Sequence, residues 1–188
     1  MDAITTPPSA PPLAPPAAPP AAGFAIRPVR PDEHAALGEI SARAYLDDGL
    51  LTHGADDPYL DVLRDVPRRA AEAEVLVAAD RDGTLLGGVT FVPSGGTPWA
   101  DIAGPDEAEF RVLAVAGAAR GRGVGEALVR ACADRARARE GCVRLVLSVV
   151  PEAVAARRLY DRTGFARVPH RDWEPLPGLP LYAYELTL

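Results

Sequence analysis

From Phe24 onward the chain switches repeatedly between two hydrophobic periods, and the switches predict an order of elements. "GFAIR" is a short apolar run, and Pro31-Asp32-Glu33 after it reads as a helix start. In "HAALGEISARAYL", Ala35, Leu37, Ile40, Ala44 and Tyr45 fall on roughly one helical face. "DDGLLTHGADDPYLDVLRDV" keeps a broken helical pattern and is dense in aspartate. "EVLVAAD" and "TLLGGVTFVP" are strand runs joined at Arg81-Asp82-Gly83, a tight hairpin. The Gly- and Pro-rich "PSGGTPWADIAGPDEA" reads as a loop leading to a further strand, "EFRVLAV". Strict alternation there puts Phe110, Val112 and Ala114 on one face and Glu109, Arg111, Leu113 and Val115 on the other.

Farther on, Val124, Ala127, Leu128, Ala131 and Cys132 recur at helical spacing. Arg130, Arg135, Arg137 and Arg139 occupy other faces and the C-terminal end, where cations suit the helix dipole. "VRLVLSVV" is a buried strand, and "PEAVAARRLYDRTGF" a helix with Pro151 at its start and Gly164 at its stop. "LYAYELTL" closes the chain as a strand. Strand, two helices, three strands, helix, strand, helix and final strands make an α/β domain with a mixed sheet.

Composition narrows this further. The first twenty-two residues are nearly all Ala and Pro, eight of them Pro, too poor in large apolar side chains to offset the entropy of ordering. Residues 1–22 are thus expected to be a disordered tail, and residues 23–188 one domain. The tail has no basic start and no unbroken apolar core, unlike a secretory signal. No apolar run reaches the ~18 residues of a membrane span. Two cysteines, Cys132 and Cys142, form no disulfide framework, which suggests a reducing cytoplasm. His34, His53 and His170 are far apart and show no metal-ligand spacing, so no metal is expected. The twenty cationic side chains are all arginine, and the net charge of -6 argues against a nucleic-acid surface.

Against that acidic background, "AARGRGVGEAL" concentrates two arginines and three glycines between a strand and an amphipathic helix. It is not a Walker A loop, because the chain has no lysine. It is not a dinucleotide fingerprint either, since Glu126 stands where the third glycine belongs. A glycine-rich helix start with solvated arginines remains one reading. The other is an anion site: helix-start N–H groups bind phosphate, and Gly121, Gly123 and Gly125 let the backbone approach it.

Arg120-x-x-Gly123-x-Gly125, preceded by "EFRVLAV" and followed by "RLVLSVV" and "LYDRTGF", resembles the GNAT acetyltransferase superfamily. The resemblance spans roughly Phe24 to Leu188. It implies a three-layer α/β domain whose mixed, mostly antiparallel sheet is flanked by helices. It also implies a splay between the central strand and the strand after the coenzyme-binding helix. Acetyl-coenzyme A would place its pyrophosphate on Arg120, Gly121, Arg122, Gly123, Val124 and Gly125. Its pantetheine arm would pair with Leu113 and Val115, the Val115 N–H polarising the thioester carbonyl. Relatives often carry Asn at the position of Ala153, so polar contact to the arm would move to Ser148 or Arg157.

The resemblance further implies direct attack by an amine, with Glu109 as general base and Tyr160 as the acid that protonates the departing thiolate. Asp47, Asp48, Asp56, Asp57, Asp61, Asp101, Asp106 and Glu107 would border the acceptor entrance and favour a small cationic amine. A protein N-terminus or lysine is the alternative acceptor, and a non-catalytic acyl-coenzyme-A-binding module the alternative from another class. Neither nucleic acid nor membrane is expected as a partner; a homodimer is left open.

Overall fold

The computed structural model describes residues 23–188, so the tail expected over residues 1–22 lies outside the described residues. The apolar runs become β1 (Phe24–Pro28), β2 (Glu74–Asp80), β3 (Leu85–Val92), β4 (Glu107–Val115), β5 (Arg144–Val149), β6 (Ala166–Arg167) and β7 (Tyr182–Thr187). They form one sheet in the order β1-β2-β3-β4-β5-β7-β6. Only the β4–β5 pair is parallel. The helices are α1 (His34–Asp47), α2 (Tyr59–Arg64), α3 (Val66–Glu72), α4 (Val124–Ala138) and α5 (Val154–Arg162).

Local chemistry sets several boundaries. The β2–β3 turn forms because Asp80 Oδ1 accepts the N–H groups of Asp82 and Thr84, at 3.1 and 2.8 Å, while Gly83 takes a positive φ of 85°. Helix α3, absent from the sequence reading, starts where the Asp65 side chain accepts the Arg68 N–H at 3.1 Å and Pro67 fills the first turn. Helix α5 begins at Val154 rather than at Pro151, which instead lies in a turn. Gly164, at φ 92°, ends it as expected. In α1 the buried stripe is Leu37, Ser41 and Ala44 with Gly38 and Ala42; Ala35 is exposed and Ile40 only half-buried. Small residues win this face because α2 lies close: a Cβ on Gly38 would sit 2.8 Å from the Arg64 carbonyl oxygen.

The two faces of the sheet carry separate cores. On one, Ala108 and Phe110 of β4 pack with Leu128 and Cys132 of α4, Leu145 of β5 and Tyr160 of α5. On the other, Val92 and Val112 pack with Ala42 of α1, Leu60 and Leu63 of α2, and Trp99 of the loop before β4.

Phe110 and Val112 therefore lie on opposite faces, which strict alternation had put together. The cause is a bulge. Opposite Val89 the register of β4 against β3 gains one residue, running from Thr90↔Arg111 to Gly88↔Ala114. Val112 absorbs it with φ 51°, making it the only non-glycine residue with positive φ among the described residues. Beyond the bulge Leu113 and Val115 pack on the α4 side, and Glu109 does not share their face.

Candidate active site

Three features meet where the central strand β4 ends and parts from β5. The first is a turn of unpaired backbone donors. Gly121 and Gly123 both adopt the left-handed region, at φ 75° and 78°, and Gly123 caps α4 without a side chain. The first hydrogen bond of the helix runs from the Ala127 N–H to the Gly123 carbonyl, at 3.0 Å. The N–H groups of residues 121–126 make no hydrogen bond among the described residues. Six donors with the positive end of a helix behind them form a cradle for an anion. Arg122 beside it is exposed, Val124 is buried beneath it, and a Cβ on Gly125 would lie 3.3 Å from Leu159. Arg120 is exposed and pairs with Asp48 at 2.7 Å.

The second feature is the splay. β4 and β5 pair only over Glu107↔Arg144, Ala108↔Leu145 and Glu109↔Val146, then diverge. The Ala116 N–H bonds the Leu86 carbonyl of β3 at 2.9 Å, so by strand alternation the Val115 N–H faces the opposite, open side. An extended chain can add there as an extra strand.

The third is a cavity of about 600 Å³ between the diverging strands. Its inner wall includes Phe110, Leu113, Leu147, Ser148, Ala153 and Tyr160. The other end is built by Tyr45, the loop before α2, and the segment between β6 and β7. Ala153 thus faces the cavity with a methyl group only. Arg157, the other substitute contact considered, does not line it; its Nε donates to the Tyr184 hydroxyl at 3.2 Å and its Nη1 to the Pro151 carbonyl at 2.9 Å.

Tyr160 is almost fully buried, edge-on to Phe110 at 5.7 Å between centroids. Burial pushes its phenol well above the ordinary tyrosine range, so it stays protonated. Cys132, also pushed up by burial, belongs to the core.

Glu109 is fully buried and does not line the cavity. Its Oε2 accepts three successive N–H groups, from Asp101 at 2.9 Å and from Ile102 and Ala103 at 3.1 Å. Its Oε1 has no partner among the described residues. Burial raises this carboxyl above the usual range, opposed by the Ile102 N–H. The loop that Glu109 anchors presents Asp101 to the cavity. Asp101 Oδ2 pairs with Arg111 at 2.9 Å, and burial raises its carboxyl against that cation. Arg111 in turn donates to the Trp99 carbonyl at 3.1 Å and lies over the Trp99 ring.

Of the carboxylates expected at the acceptor entrance, Asp57 and Asp101 line the cavity. Glu107 is buried elsewhere, clamped by Arg144 at 2.8 Å and Arg171 at 2.7 Å. Asp47, Asp48, Asp56 and Asp61 are exposed. The cavity residues Tyr45, Tyr59, Arg111 and Trp173 were not singled out from the sequence as site residues. No motif marks them, and they converge only when α1, α2 and the segment between β6 and β7 fold against β4. Among the described residues no group of His, Cys, Asp and Glu side chains could hold a metal ion, and no helix is long and apolar enough to cross a membrane.

With this geometry in hand, known proteins are informative. The family model described as acetyltransferase (GNAT) family matches residues 37–165. A GCN5-related N-acetyltransferase from Kribbella flavida is 26% identical over 88% of this chain and 98% of its own, with a TM-score of 0.63. A Salmonella typhimurium protein described as an acetyltransferase and solved with acetyl-CoA is 24% identical, over 88% and 94%, with a TM-score of 0.63. NAA60 of Arabidopsis thaliana, solved with a bisubstrate analogue, is 21% identical, over 87% and 98%, with a TM-score of 0.64. No curated protein matches the sequence.

Proposed function

Because the chain belongs to the acetyltransferase (GNAT) family, we propose that it moves an acetyl group from acetyl-coenzyme A directly to the primary amine of a small molecule. The observation that carries this reading is continuity. Gly125 at the start of α4 lies against Val115, the Val115 N–H faces outward, and Leu113 of β4, two residues back, lines the cavity. That is the order of pyrophosphate, pantetheine arm and thioester in the donor.

In this reading the N–H groups of residues 121–126 hold the pyrophosphate, with Arg120 and Arg122 adding charge. Leu113 and Val115 offer backbone to the arm, and Ser148 a hydroxyl. The Val115 N–H stabilises the negative charge that develops on the carbonyl oxygen as the amine nitrogen attacks. A C–N bond forms and the C–S bond breaks. The amine's proton leaves to a carboxylate, and the departing thiolate takes a proton from the Tyr160 hydroxyl.

The carboxylate is where the reading departs from Glu109 acting alone. A base must reach the proton it removes, and Asp101 rather than Glu109 borders the cavity. We assign Asp101 as the base and Glu109 as the positioning residue that holds its loop. The test is thiol release from acetyl-coenzyme A against a panel of primary amines. Binding of acetyl-coenzyme A without thiol release for any amine would instead identify a non-catalytic acyl-coenzyme-A-binding module.

A further inference from the structure

The acceptor end of the cavity is poor in available charge and rich in rings. Tyr45 and Tyr59 stand with centroids 6.1 Å apart and planes at 49°. Leu51 joins them from the loop before α2, and Trp173 and Leu176 from the segment between β6 and β7. The two carboxylates present are differently occupied. Asp57 uses both oxygens to fix its own loop, accepting the His53 N–H at 3.0 Å and the Tyr59 N–H at 2.9 Å. Asp101 pairs through Oδ2 with Arg111, and its Oδ1 makes no hydrogen bond among the described residues. Asp57 is thus held by its own loop, while Asp101 keeps an open Oδ1 toward the cavity for an amino group.

We propose that the acceptor is an arylalkylamine: one primary amine, held at Asp101, on a short chain ending in an aromatic ring that lies against Tyr45, Tyr59, Trp173 and Leu176. This rests on the transferase reading above and narrows its substrate class. A polyamine would bring a second ammonium against this largely apolar wall, where the remaining carboxylate, Asp57, is already tied to two N–H groups of its own loop, a costly burial. A peptide would bring a run of backbone N–H and C=O groups, more than the Tyr45 and Tyr59 hydroxyls and the unpartnered Trp173 Nε1–H could receive. An aromatic ring gains from removal of its surface from water and from offset or edge contacts with Tyr45 and Tyr59. The volume, about 600 Å³, accommodates the thioester arm together with one small body.

The test compares kcat/KM at saturating acetyl-coenzyme A for 2-phenylethylamine, hexylamine, spermidine and a short peptide with a free N-terminus, following thiol release. 2-Phenylethylamine should lead each of the others by about tenfold or more. Leu176 is 63% exposed, so Leu176→Asp keeps the fold while placing a charge on the wall. It should cut kcat/KM for 2-phenylethylamine about tenfold and leave the Kd for acetyl-coenzyme A unchanged. Faster turnover of hexylamine, spermidine or the peptide would overturn this inference and leave the transferase reading standing. Thiol release from no amine, with acetyl-coenzyme A shown to bind by calorimetry, would overturn both.

Discussion

The Arg120 guanidinium donates to the Asp48 carboxylate at 2.7 Å, joining groups 72 positions apart in the chain. Asp48 caps the C-terminal end of α1, and the residues that follow it, Leu50 to His53, form part of the cavity wall. One ion pair thus ties the glycine turn before α4 to the loop that lines the cavity. In the proposed reading a pyrophosphate held at that turn would compete with Asp48 for the same guanidinium.

That competition has a predictable size. Both side chains are more than 40% exposed, so the pair is worth about 0.2–1 kcal/mol. Asp48→Asn should tighten acetyl-coenzyme A by up to about fivefold at low salt, with the gain shrinking as ionic strength rises. Calorimetry at two salt concentrations reads this directly. Equal affinities at low salt would mean that Arg120 remains with Asp48 in the complex.

At Gly123 the obstacle to a side chain is conformational. An added Cβ meets no atom within 4 Å, but φ is 78°. A β-branched residue in this region costs about 1–2 kcal/mol or more, so Gly123→Val should fold with a melting temperature a few degrees lower. To escape the strain the turn must rotate its N–H groups away, and acetyl-coenzyme A binding should be lost. A folded Gly123→Val variant with wild-type affinity would separate this turn from the pyrophosphate.

Glu107 should govern part of the acid limb of stability. Burial alone would raise its carboxyl, but hydrogen bonds from Arg171, Arg144 and the Gly104 N–H outweigh it and bring it to about 2. A folded-state value depressed below the unfolded one means that the stabilisation is full above about pH 4.5 and fades as pH falls toward 2. A depression of this size corresponds to at most about 3 kcal/mol. Glu107→Gln should lower stability at neutral pH and flatten its dependence between those limits, as read by urea melts across pH. A parallel downward shift with unchanged slope would assign the acid limb elsewhere, Glu33 with Arg27 and Arg30 being the next candidate.

The parts of this architecture that were legible in the sequence are those written locally. The α4 helix carries its apolar period and its glycine-rich start within a few residues of each other, and Asp80 and Gly83 write the β2–β3 turn. The bulge at Val112 is not local, because nothing in "FRVLAV" distinguishes it from a straight strand. It depends on the backbone of β3, where a Cβ on Gly87 would run into the Ala114 carbonyl oxygen of β4. The role of Glu109 was hidden for the same reason. Its carboxylate is committed to N–H groups six to eight residues upstream, in a loop whose Gly and Pro content announces irregularity but not shape. The motif marked the glycine turn before α4, where the proposed contacts are made by backbone. It was silent on the acceptor half, where side chains from distant connections meet.

Asp101, Glu109 and Tyr160 can be told apart by the chemistry that each substitution leaves behind. Asp101→Asn keeps the shape and removes the base, so single-turnover transfer should fall on the order of ~10²-fold at neutral pH. An alkyl amine has a pKa near ~10, so the rate should partly recover at high pH, where free amine accumulates without help. In wild type the rate should rise as Asp101 loses its proton, and burial moves that rise above the ordinary aspartate range. Glu109→Gln still offers an amide oxygen to the N–H groups of residues 101–103, so a positioning role predicts a near-wild-type rate and pH profile. Glu109→Ala removes that oxygen and should lower the rate, with the Gln variant standing as its rescue. A Glu109→Gln rate as low as that of Asp101→Asn, with the same alkaline recovery, would return the base to Glu109. Tyr160→Phe keeps the ring against Phe110 and Tyr184 but removes the proton that the thiolate needs. Its rate should fall about 10²-fold without alkaline recovery, because more free amine does nothing for the leaving group. Single-turnover rates are the fair measure for all four variants, since slow product release would mask losses in kcat.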